Sequence, residues 1–213
     1  MLQLRNLLKK YGDTVILNIP DLHLGAGIYW IKGVNGAGKT TLFKVLAGLL
    51  PYQGQIFLQG KTELSRAIIR HRQLINYSEA EPLYPAFLTG KELLNLVIAA
   101  KKPTPAQVSE LTERLLVGSF LNQPMGSYSS GMLKKLSILL AFLGNPALII
   151  LDEPLITLDA AAIATVNQLI LEYYQKQEIS FLLSSHQNFI THDLPVTATL
   201  VLENKTLSFL QTN

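Results

Sequence analysis

Apolar and polar residues alternate along the 213-residue chain in a way that predicts strands and helices in turn. Short runs rich in β-branched and aromatic residues are typical of strands, whereas longer apolar stretches with a helical period indicate helices. Buried strands that alternate with helices predict an α/β fold with a mainly parallel sheet covered on both faces. The runs that we interpret as strands are residues 15–19, 28–31, 54–59, 74–77, 147–151 and 179–184.

Helices are predicted between several of these strands. One spans residues 40–50 and is stopped by Pro51, and a later one runs from about 159 to 177. The end of the chain returns to strand character in residues 196–202 and 207–209, with a polar turn between them. This pattern predicts a terminal hairpin.

The region 80–130 has a different pattern, with helix starts that lack neighbouring strands. Thr89 with Glu92, and Thr104 with Gln107, are candidate capping boxes. We therefore interpret this region as a helical lobe inserted into a single domain that spans residues 1–213. The core of that domain consists of residues 1–79 and 131–213.

Composition narrows the class of protein. Hydrophobic residues make up 48% of the chain and charged residues 15%, which is too apolar for a disordered chain. The absence of cysteine excludes disulfides and thiolate metal sites. The formal net charge of +3 is not concentrated in any long basic block, so we expect no nucleic acid partner.

A mean hydropathy of +0.26 raises the question of membrane segments. The most apolar uncharged stretch, residues 136–151, is interrupted by Gly144 and Pro146, whereas a spanning helix needs about 20 continuous apolar residues. It is better explained as a buried helix followed by a buried strand. Residues 1–11 carry basic residues but no apolar segment, so no signal peptide is predicted and we expect a cytoplasmic protein.

The clearest chemical motif lies between the strand at 28–31 and the helix that follows it. Residues 33–40 read Gly-Val-Asn-Gly-Ala-Gly-Lys-Thr and fit the phosphate-binding pattern G-x-x-x-x-G-K-[ST]. Glycines let the backbone N–H groups face an anion, and the helix N-terminus adds its partial positive charge. Lys39 is then expected to contact phosphates, and Thr40 to ligate Mg²⁺. The predicted nucleotide-binding residues of this loop are Gly33, Asn35, Gly36, Ala37, Gly38, Lys39, Thr40 and Thr41.

Two adjacent carboxylates, Asp152 and Glu153, follow the buried strand at 147–151. Ligands of open α/β sheets bind beyond the carboxyl ends of the strands, so both acids are expected near the nucleotide. Asp152 would hold Mg²⁺, and Glu153 would orient or deprotonate the attacking water. Acids at such positions also occur as plain helix caps or solvated residues.

A third motif, Tyr-Ser-Ser-Gly-Met at residues 128–132, precedes Asp152 and resembles the LSGGQ signature of ABC ATPases. Nearly the whole chain shows the motifs of that family in the family order. Tyr11 stands where an aromatic residue stacks on adenine, Asp159 lies in the segment that resembles the D-loop, and His186 resembles the switch histidine. The alternative explanations are an ordinary helix cap at Ser129, and surface or core roles for the tyrosine and the histidine.

This resemblance implies a P-loop NTPase core with an N-terminal antiparallel β subdomain, and ATP and Mg²⁺ as ligands. It also implies a head-to-tail dimer, either a homodimer or a heterodimer, in which one subunit's signature contacts the ATP of the other. Glu153, Lys39 and His186 would then be the catalytic residues. The signature contacts across the dimer would come from Ser129, Ser130 and Gly131.

One segment departs from the family pattern. The family's Q-loop carries a glutamine that contacts Mg²⁺ and water, but residues 77–82 read Tyr-Ser-Glu-Ala-Glu-Pro. Counting forward from Tyr77 puts Ala80 in that place, and counting back from residues 83–85 puts Glu79 there. A carboxylate oxygen is an acceptable ligand for Mg²⁺, so we favour Glu79 as a further metal ligand.

The family resemblance implies an ATP-hydrolysing subunit that powers transport by a separate transmembrane permease subunit, from the cytoplasmic face of the membrane. The apolar residues 82–87 are candidates for the contact with that subunit, although they could equally pack the lobe onto the core. The compact chain resembles subunits of small exporters. The alternatives are a soluble ABC ATPase acting on ribosomes or DNA, and a regulatory module that does not hydrolyse ATP.

Overall fold

The computed structural model describes residues 1–60, 62–63, 68–185 and 194–210. A six-stranded sheet with the order β10-β9-β3-β8-β7-β6 forms the centre of the molecule. All neighbouring strands in it are parallel except β9 and β10, which form the predicted terminal hairpin. Its strands are β3 (Ile28–Lys32), β6 (Ile75–Ser78), β7 (Leu148–Leu151), β8 (Ser180–Ser184), β9 (Ala198–Glu203) and β10 (Thr206–Phe209).

The second sheet is antiparallel and is formed by the N-terminal part of the chain, in the order β2-β1-β4-β5. Its inward positions are leucine and isoleucine, such as Leu4, Leu17 and Ile56, all fully buried. The α/β fold with a mainly parallel sheet and an N-terminal antiparallel subdomain is therefore confirmed. The strands of this sheet are β1 (Leu2–Tyr11), β2 (Thr14–Leu24), β4 (Gln53–Leu58) and β5 (Thr62–Glu63).

Successive side chains of the parallel strands face opposite layers of the core. Trp30 and Ile149 pack on the side of α5 (Ser130–Phe142) and α6 (Ala160–Gln177). Ile31 and Ile150 pack on the other side, which is covered by α1 (Lys39–Leu46) and the antiparallel sheet. This period-two alternation in continuous apolar strands is what a sheet covered on both faces requires.

The end of α1 differs from the prediction. The helix ends at Leu46, and Gly48 takes a positive φ of 71°. Leu49 N donates to Lys44 O at 2.8 Å and Gly48 N to Val45 O at 3.0 Å, which is a Schellman motif. The glycine cap therefore stops the helix before Pro51 can.

The region 80–130 carries α3 (Gly90–Lys101), α4 (Pro105–Arg114) and a single 3₁₀ turn (Met125–Ser127). Thr89 and Glu92 form the predicted capping box. Thr104 caps α4, but the predicted reciprocal role of Gln107 is wrong, because its amide nitrogen donates to Phe142 O and Gly144 O, at 3.2 and 3.0 Å, in the core.

Two further features complete the fold. A short helix that the sequence did not predict, α2 (Ile68–Leu74), precedes β6. The turn of the β9–β10 hairpin is attached to β2, because Asn18 N donates to Lys205 O and Thr206 Oγ1 donates to Asn18 O, both at 2.7 Å. Among the described helices, none combines the length and apolar character that a membrane span requires.

Candidate functional site

The loop between β3 and α1 is shaped by glycines that no other residue could replace without strain. Gly36 and Gly38 have φ values of 80° and 105°, in the left-handed region. A Cβ on Gly38 would lie 3.2 Å from Ile16 and 3.3 Å from Leu17, so the loop is held tightly against β2. Gly38 also stands directly before α1, where N–H groups are left without helical partners. The loop therefore has the form of an anion cradle.

Lys39 lies inside this loop and is almost fully buried. Its ammonium donates to Gly33 O at 2.6 Å and to Val34 O at 3.3 Å. Burial lowers the pKa of Lys39, and the nearby carboxylates Glu153 and Asp152 oppose that shift. The amine is therefore a cation held within the loop, on partners that belong to the loop itself.

Asp152 is the polar centre of the site and is 1% exposed. Oδ2 accepts from Thr40 Oγ1 at 2.7 Å and from the Tyr77 hydroxyl at 3.4 Å, while Oδ1 accepts from Ser184 Oγ at 2.5 Å. Burial is the main cause that raises the pKa of Tyr77, followed by the charge of Asp152. The start of α1 and the ends of β6 and β8 therefore contact this carboxylate, which itself follows the end of β7.

Glu153 follows in an unusual backbone conformation, with a φ of 47°. A left-handed glutamate costs of order 1–3 kcal/mol, and such strain clusters at functional sites. Its backbone N–H donates to Ser184 Oγ at 3.0 Å, and its side chain is largely buried. This turn directs the chain away from β7 directly after the two carboxylates.

These residues surround a cavity of about 380 Å³. A hydroxyl and a carboxylate oxygen 2.7 Å apart, from Thr40 and Asp152, are the hard oxygen donors that Mg²⁺ prefers, so the residues present fit this ion. The wall combines these oxygen donors with backbone N–H groups and one ammonium. The cavity is lined by Ile16, Asn35, Gly36, Ala37, Gly38, Lys39, Thr40, Thr41, Ala80, Asp152 and Glu153.

The two possible Q-loop registers are now distinguished by position. Ala80 lines the cavity, whereas the Glu79 carboxylate lies 3.5 Å from the Lys44 ammonium and borders a different surface groove. Ser78 is the last residue of β6 and pairs with Leu151, which directly precedes Asp152. Ala80, two residues after Ser78, therefore lies on the Asp152 side of the sheet edge. This placement departs from the prediction that Glu79 is a metal ligand, and it favours the Ala80 register.

The signature residues lie at the start of α5, away from this chain's own phosphate cavity. Ser129 is the exposed N-cap, and its hydroxyl accepts from Met132 N at 3.2 Å; Ser130 beside it is also exposed. A Cβ on Gly131 would lie 2.9 Å from Thr157 O, so this glycine permits a close approach to the D-loop segment. The signature and the D-loop are therefore adjacent.

Asp159 extends the same contact. It is the N-cap of α6, where Oδ1 accepts from Ala162 N at 2.8 Å, and its Oδ2 lies 3.3 Å from the Lys135 ammonium of α5. The hydrogen bond from Ala162 and then the one from Lys135 lower the pKa of Asp159. An ion pair thus joins the D-loop to the signature helix.

One predicted residue, Tyr11, lies apart from this arrangement. Tyr11 is 49% exposed at the end of β1, does not line the phosphate cavity, and has the Lys9 ammonium 4.6 Å from its ring centroid. His186 lies outside the described residues, so its contact with phosphate stays a prediction.

Sequence reasoning missed three polar residues around Asp152, namely Tyr77, Ser184 and Lys134. Lys134 is 1% exposed, and burial lowers its pKa to about 8 against the opposing charges of Asp152, Glu153 and Glu81. Its spacing to Ser137 and Ile138 at i+3 and i+4 places it on the apolar face of α5. That position was the available signal for a buried lysine.

A groove of about 330 Å³, lined in part by Glu79, lies beside the lobe. Leu83, which lines the groove, is 89% exposed, and Phe87 of the same apolar segment is 80% exposed. Pro82 is buried and Tyr84 half-buried, so the segment both packs onto the lobe and presents an apolar surface. Leu83, Tyr84, Leu93 and Val97 are among the residues that line the groove.

The arrangement has close parallels among known proteins. The family model described as ABC transporter matches residues 20–156. The lantibiotic transport ATP-binding protein SrtF of Streptococcus pyogenes is 31% identical over 188 residues, which cover 87% of this chain and 80% of that protein. The cytochrome c biogenesis ATP-binding export protein CcmA of Legionella pneumophila is 32% identical over 188 residues, which cover 87% of this chain and 90% of that protein.

A solved structure gives the same result at the level of the fold. The structure of an ATP binding subunit of an ABC transporter superposes with a TM-score of 0.86 at 26% identity, covering 99% of this chain and 90% of that one. The likeness therefore extends over both sheets and the lobe.

Proposed function

The chain belongs to the ABC transporter family, as its motifs predicted, and from that premise we propose that it binds and hydrolyses ATP to drive export through a separate membrane subunit. The observation that carries the proposal is the convergence of Lys39, Thr40, Asp152 and Glu153 on one cavity beside a glycine-rich loop. Two adjacent pairs of residues, far apart in the sequence, supply a cation, a hydroxyl and two carboxylates to one phosphate-sized space.

The phosphate loop binds the nucleotide. Backbone N–H groups at the start of α1 and the Lys39 ammonium donate to phosphate oxygens, with Lys39 exchanging the carbonyls of Gly33 and Val34 for them. Thr40 and Asp152 hold Mg²⁺, which when bound offsets phosphate charge. We propose that Tyr11 contacts the base and that Asn35 and Ala37 contribute N–H groups.

Glu153 performs the proton chemistry. Its carboxylate, held at the cavity by the turn after β7, orients a water and accepts its proton as the water oxygen bonds to the γ-phosphorus. The bond from the γ-phosphorus to the β–γ bridging oxygen breaks, and ADP leaves with that oxygen and its electron pair. Asp152 cannot take this role, because Thr40, Tyr77 and Ser184 already donate to it. We propose that His186 assists at the γ-phosphate.

A second copy of the ATPase, identical or related, completes the site. Ser129, Ser130 and Gly131 start α5 on an exposed face of the molecule, where an N–H-rich helix start and a hydroxyl suit a phosphate bound to the partner subunit. The Lys135–Asp159 pair connects that face to the D-loop. We propose that this dimer is a head-to-tail sandwich.

The groove beside the lobe is the proposed contact for the membrane subunit. Leu83 exposes apolar area in the groove that Tyr77 of β6 and Glu79 also line, so a docked helix would act directly on the segment that leads to Ala80. We propose that the chain works from the cytoplasmic face of the membrane. Export is preferred because CcmA, at 32% identity, is named for export.

The test is MgATP turnover by the purified chain and by its complex with the membrane protein from a neighbouring reading frame. We expect turnover, and we expect Leu83→Glu to lose co-purification with that protein while keeping turnover of the isolated chain. A chain that binds MgATP but does not turn it over, alone or in the complex, would instead support the non-hydrolysing regulatory alternative. ATP-driven dimerisation, measured by light scattering and blocked by Ser129→Arg, tests the sandwich.

A further inference from the structure

The ammonium of Lys134 is the centre of a contact that the nucleotide chemistry does not use directly. It donates to Glu79 O and Ala80 O, each at 2.8 Å, and to Asp152 O at 3.1 Å. An ammonium has three N–H donors and no acceptor, so these three carbonyls match its donors in number. A buried lysine is thereby provided with a complete hydrogen-bonding environment in place of water.

The three acceptors belong to two segments that form walls of the phosphate cavity. Glu79 and Ala80 follow β6, and Asp152 follows β7, so they are 55, 54 and 18 residues from Lys134 in sequence. Ala80 and Asp152 both line the cavity, whereas Lys134 itself does not. Lys134 therefore contacts the backbone of two cavity-lining residues without lining the cavity itself.

Other polar contacts attach the same helix to the same strand. Asn76 Nδ2 donates to Ala141 O at 2.7 Å and to Leu143 O at 2.9 Å, and the hydroxyls of Ser78 and Ser137 are 2.8 Å apart. We call this set of contacts, together with Lys134, the α5–β6 seam. It fixes the strand along the length of α5, and Lys134 extends the fixation past the end of the strand.

We propose that Lys134 is a positioning residue for hydrolysis, which holds the backbone at Ala80 and Asp152 in one arrangement and ties both to the signature helix. Lys134 lies five residues after Ser129, the N-cap of α5, so about 7.5 Å of continuous helix separates the dimer face from the carbonyls behind the cavity. A shift of α5 on dimer formation is then transmitted to the cavity wall. The inference rests on the proposed hydrolysis at this site.

Lys134→Met tests the proposal, because methionine keeps the length and apolar stem but removes the donors. We expect kcat for MgATP to fall at least tenfold while the Kd for MgATP changes less than threefold, since the phosphate loop is untouched. Hydrogen exchange of the peptide covering residues 79–84 should become faster, at least threefold. This second measurement does not depend on turnover, so it separates failure of the inference from failure of the proposed function.

Lys101→Met is the matched control. Lys101, the last residue of α3, is also a partly buried lysine that donates to backbone carbonyls at the other end of β6, those of Arg72 and Ile75. A merely structural role would give both variants the same kinetics. We expect Lys101→Met to keep kcat within twofold and to leave exchange at 79–84 unchanged.

Lys134→Arg is expected to keep at least a third of the wild-type kcat, because arginine retains a cation with several donors. If Lys134→Met does not fold by circular dichroism, Lys134→Gln is measured against the same criteria. Wild-type kcat with unchanged exchange at 79–84 in the folded variant would overturn the inference. Equal loss of kcat in the variants of Lys134 and Lys101 would overturn it as well.

Discussion

The phosphate loop and the α5–β6 seam each place a buried lysine near Asp152, and the two lysines have opposite kinds of partner. Lys39 donates to carbonyls five and six residues away, within its own loop. Lys134 donates to carbonyls 18 to 55 residues away, on two other segments. Local partners can be exchanged for phosphate without disturbing the fold, whereas long-range partners hold the fold in place. The first lysine is suited to binding a ligand and the second to fixing the walls around it.

The largest expected effect concerns the catalytic step itself, in which Glu153 acts and neither lysine takes part. Glu153→Gln should lower kcat by about 10²- to 10⁴-fold and leave MgATP affinity nearly unchanged, because a positioned base is lost while the phosphate contacts remain. Steady-state turnover and nucleotide binding measure the two quantities. Glu79→Gln is the matched control, since its carboxylate faces Lys44 outside the cavity, and it should stay within twofold of wild type. Glu79→Ala, which removes the side-chain oxygens altogether, should also stay within twofold, and a tenfold loss in that variant would return Glu79 to the site.

The next effect tests the phosphate loop side of the comparison. Lys39→Met should weaken MgATP binding by about 10- to 100-fold, because a charge-assisted hydrogen bond contributes roughly 1.5–3 kcal/mol. Its unfolding free energy should change little, since its present partners are local. Lys44→Met, on the same helix, should bind MgATP normally. Calorimetry and denaturant titration provide the readouts, and a large loss of stability in Lys39→Met would contradict the local character of its contacts.

Long-range polar contacts elsewhere should behave like those of the seam. Gln107 joins α4 to the core through Phe142 O, Gly144 O, Gly144 N and the Tyr173 hydroxyl, at 3.0–3.2 Å. Gln107→Ala should therefore lower the free energy of unfolding by about 1–3 kcal/mol, because buried partners lose their hydrogen bonds. The exposed Gln123→Ala should have no measurable effect. Urea titration checks both, and equal midpoints would show that water replaces the lost amide.

The smallest effect is a pH dependence at Lys101. Burial lowers the pKa of Lys101 to about 8 from its ordinary 10.5, so between these values the unfolded chain holds more protons than the folded one. Unfolding free energy therefore rises with pH from about 8 to 10.5 and gains nothing from this group below 8. Allowing for solvent screening, the rise relative to Lys101→Met should be about 1–2 kcal/mol. Stability curves of the two proteins at pH 7 and 10 measure it, and parallel curves would refute it.

The site residues whose placement could be read from the sequence are those that belong to a contiguous motif. The phosphate loop is contiguous, and the carboxylates Asp152 and Glu153 directly follow an apolar strand, so a local pattern contains their chemistry. The cap at Thr89 was predictable for the same reason. Pro51 predicts a later end of α1 than the structure has, because the left-handed Gly48 ends the helix first; this signal is also local.

The residues that were missed or misjudged depend on contacts made after folding. The choice between Glu79 and Ala80 requires the pairing register of β6 with β7, which the chain sets only when both strands are in one sheet. Gln107 matched a capping pattern, but carbonyls of the core bind its amide instead. Lys134 could be recognised as buried only from its position on the apolar face of α5, because its charge alone suggests an exposed residue. Tertiary contacts overrode local preference in each case.

The pairing of β3 has a consequence for the synthesis of the protein. This central strand has β8 on one side and β9 on the other, and both are more than 145 residues later in the chain. At a translation rate of roughly 5–20 residues per second, β3 waits on the order of 10 s for its neighbours to leave the ribosome. Its two apolar edges stay available to chaperones or to other nascent chains during that time. The cavity wall at Asp152, which accepts a hydrogen bond from Ser184 of β8, is therefore complete only after residues 180–184 have left the ribosome.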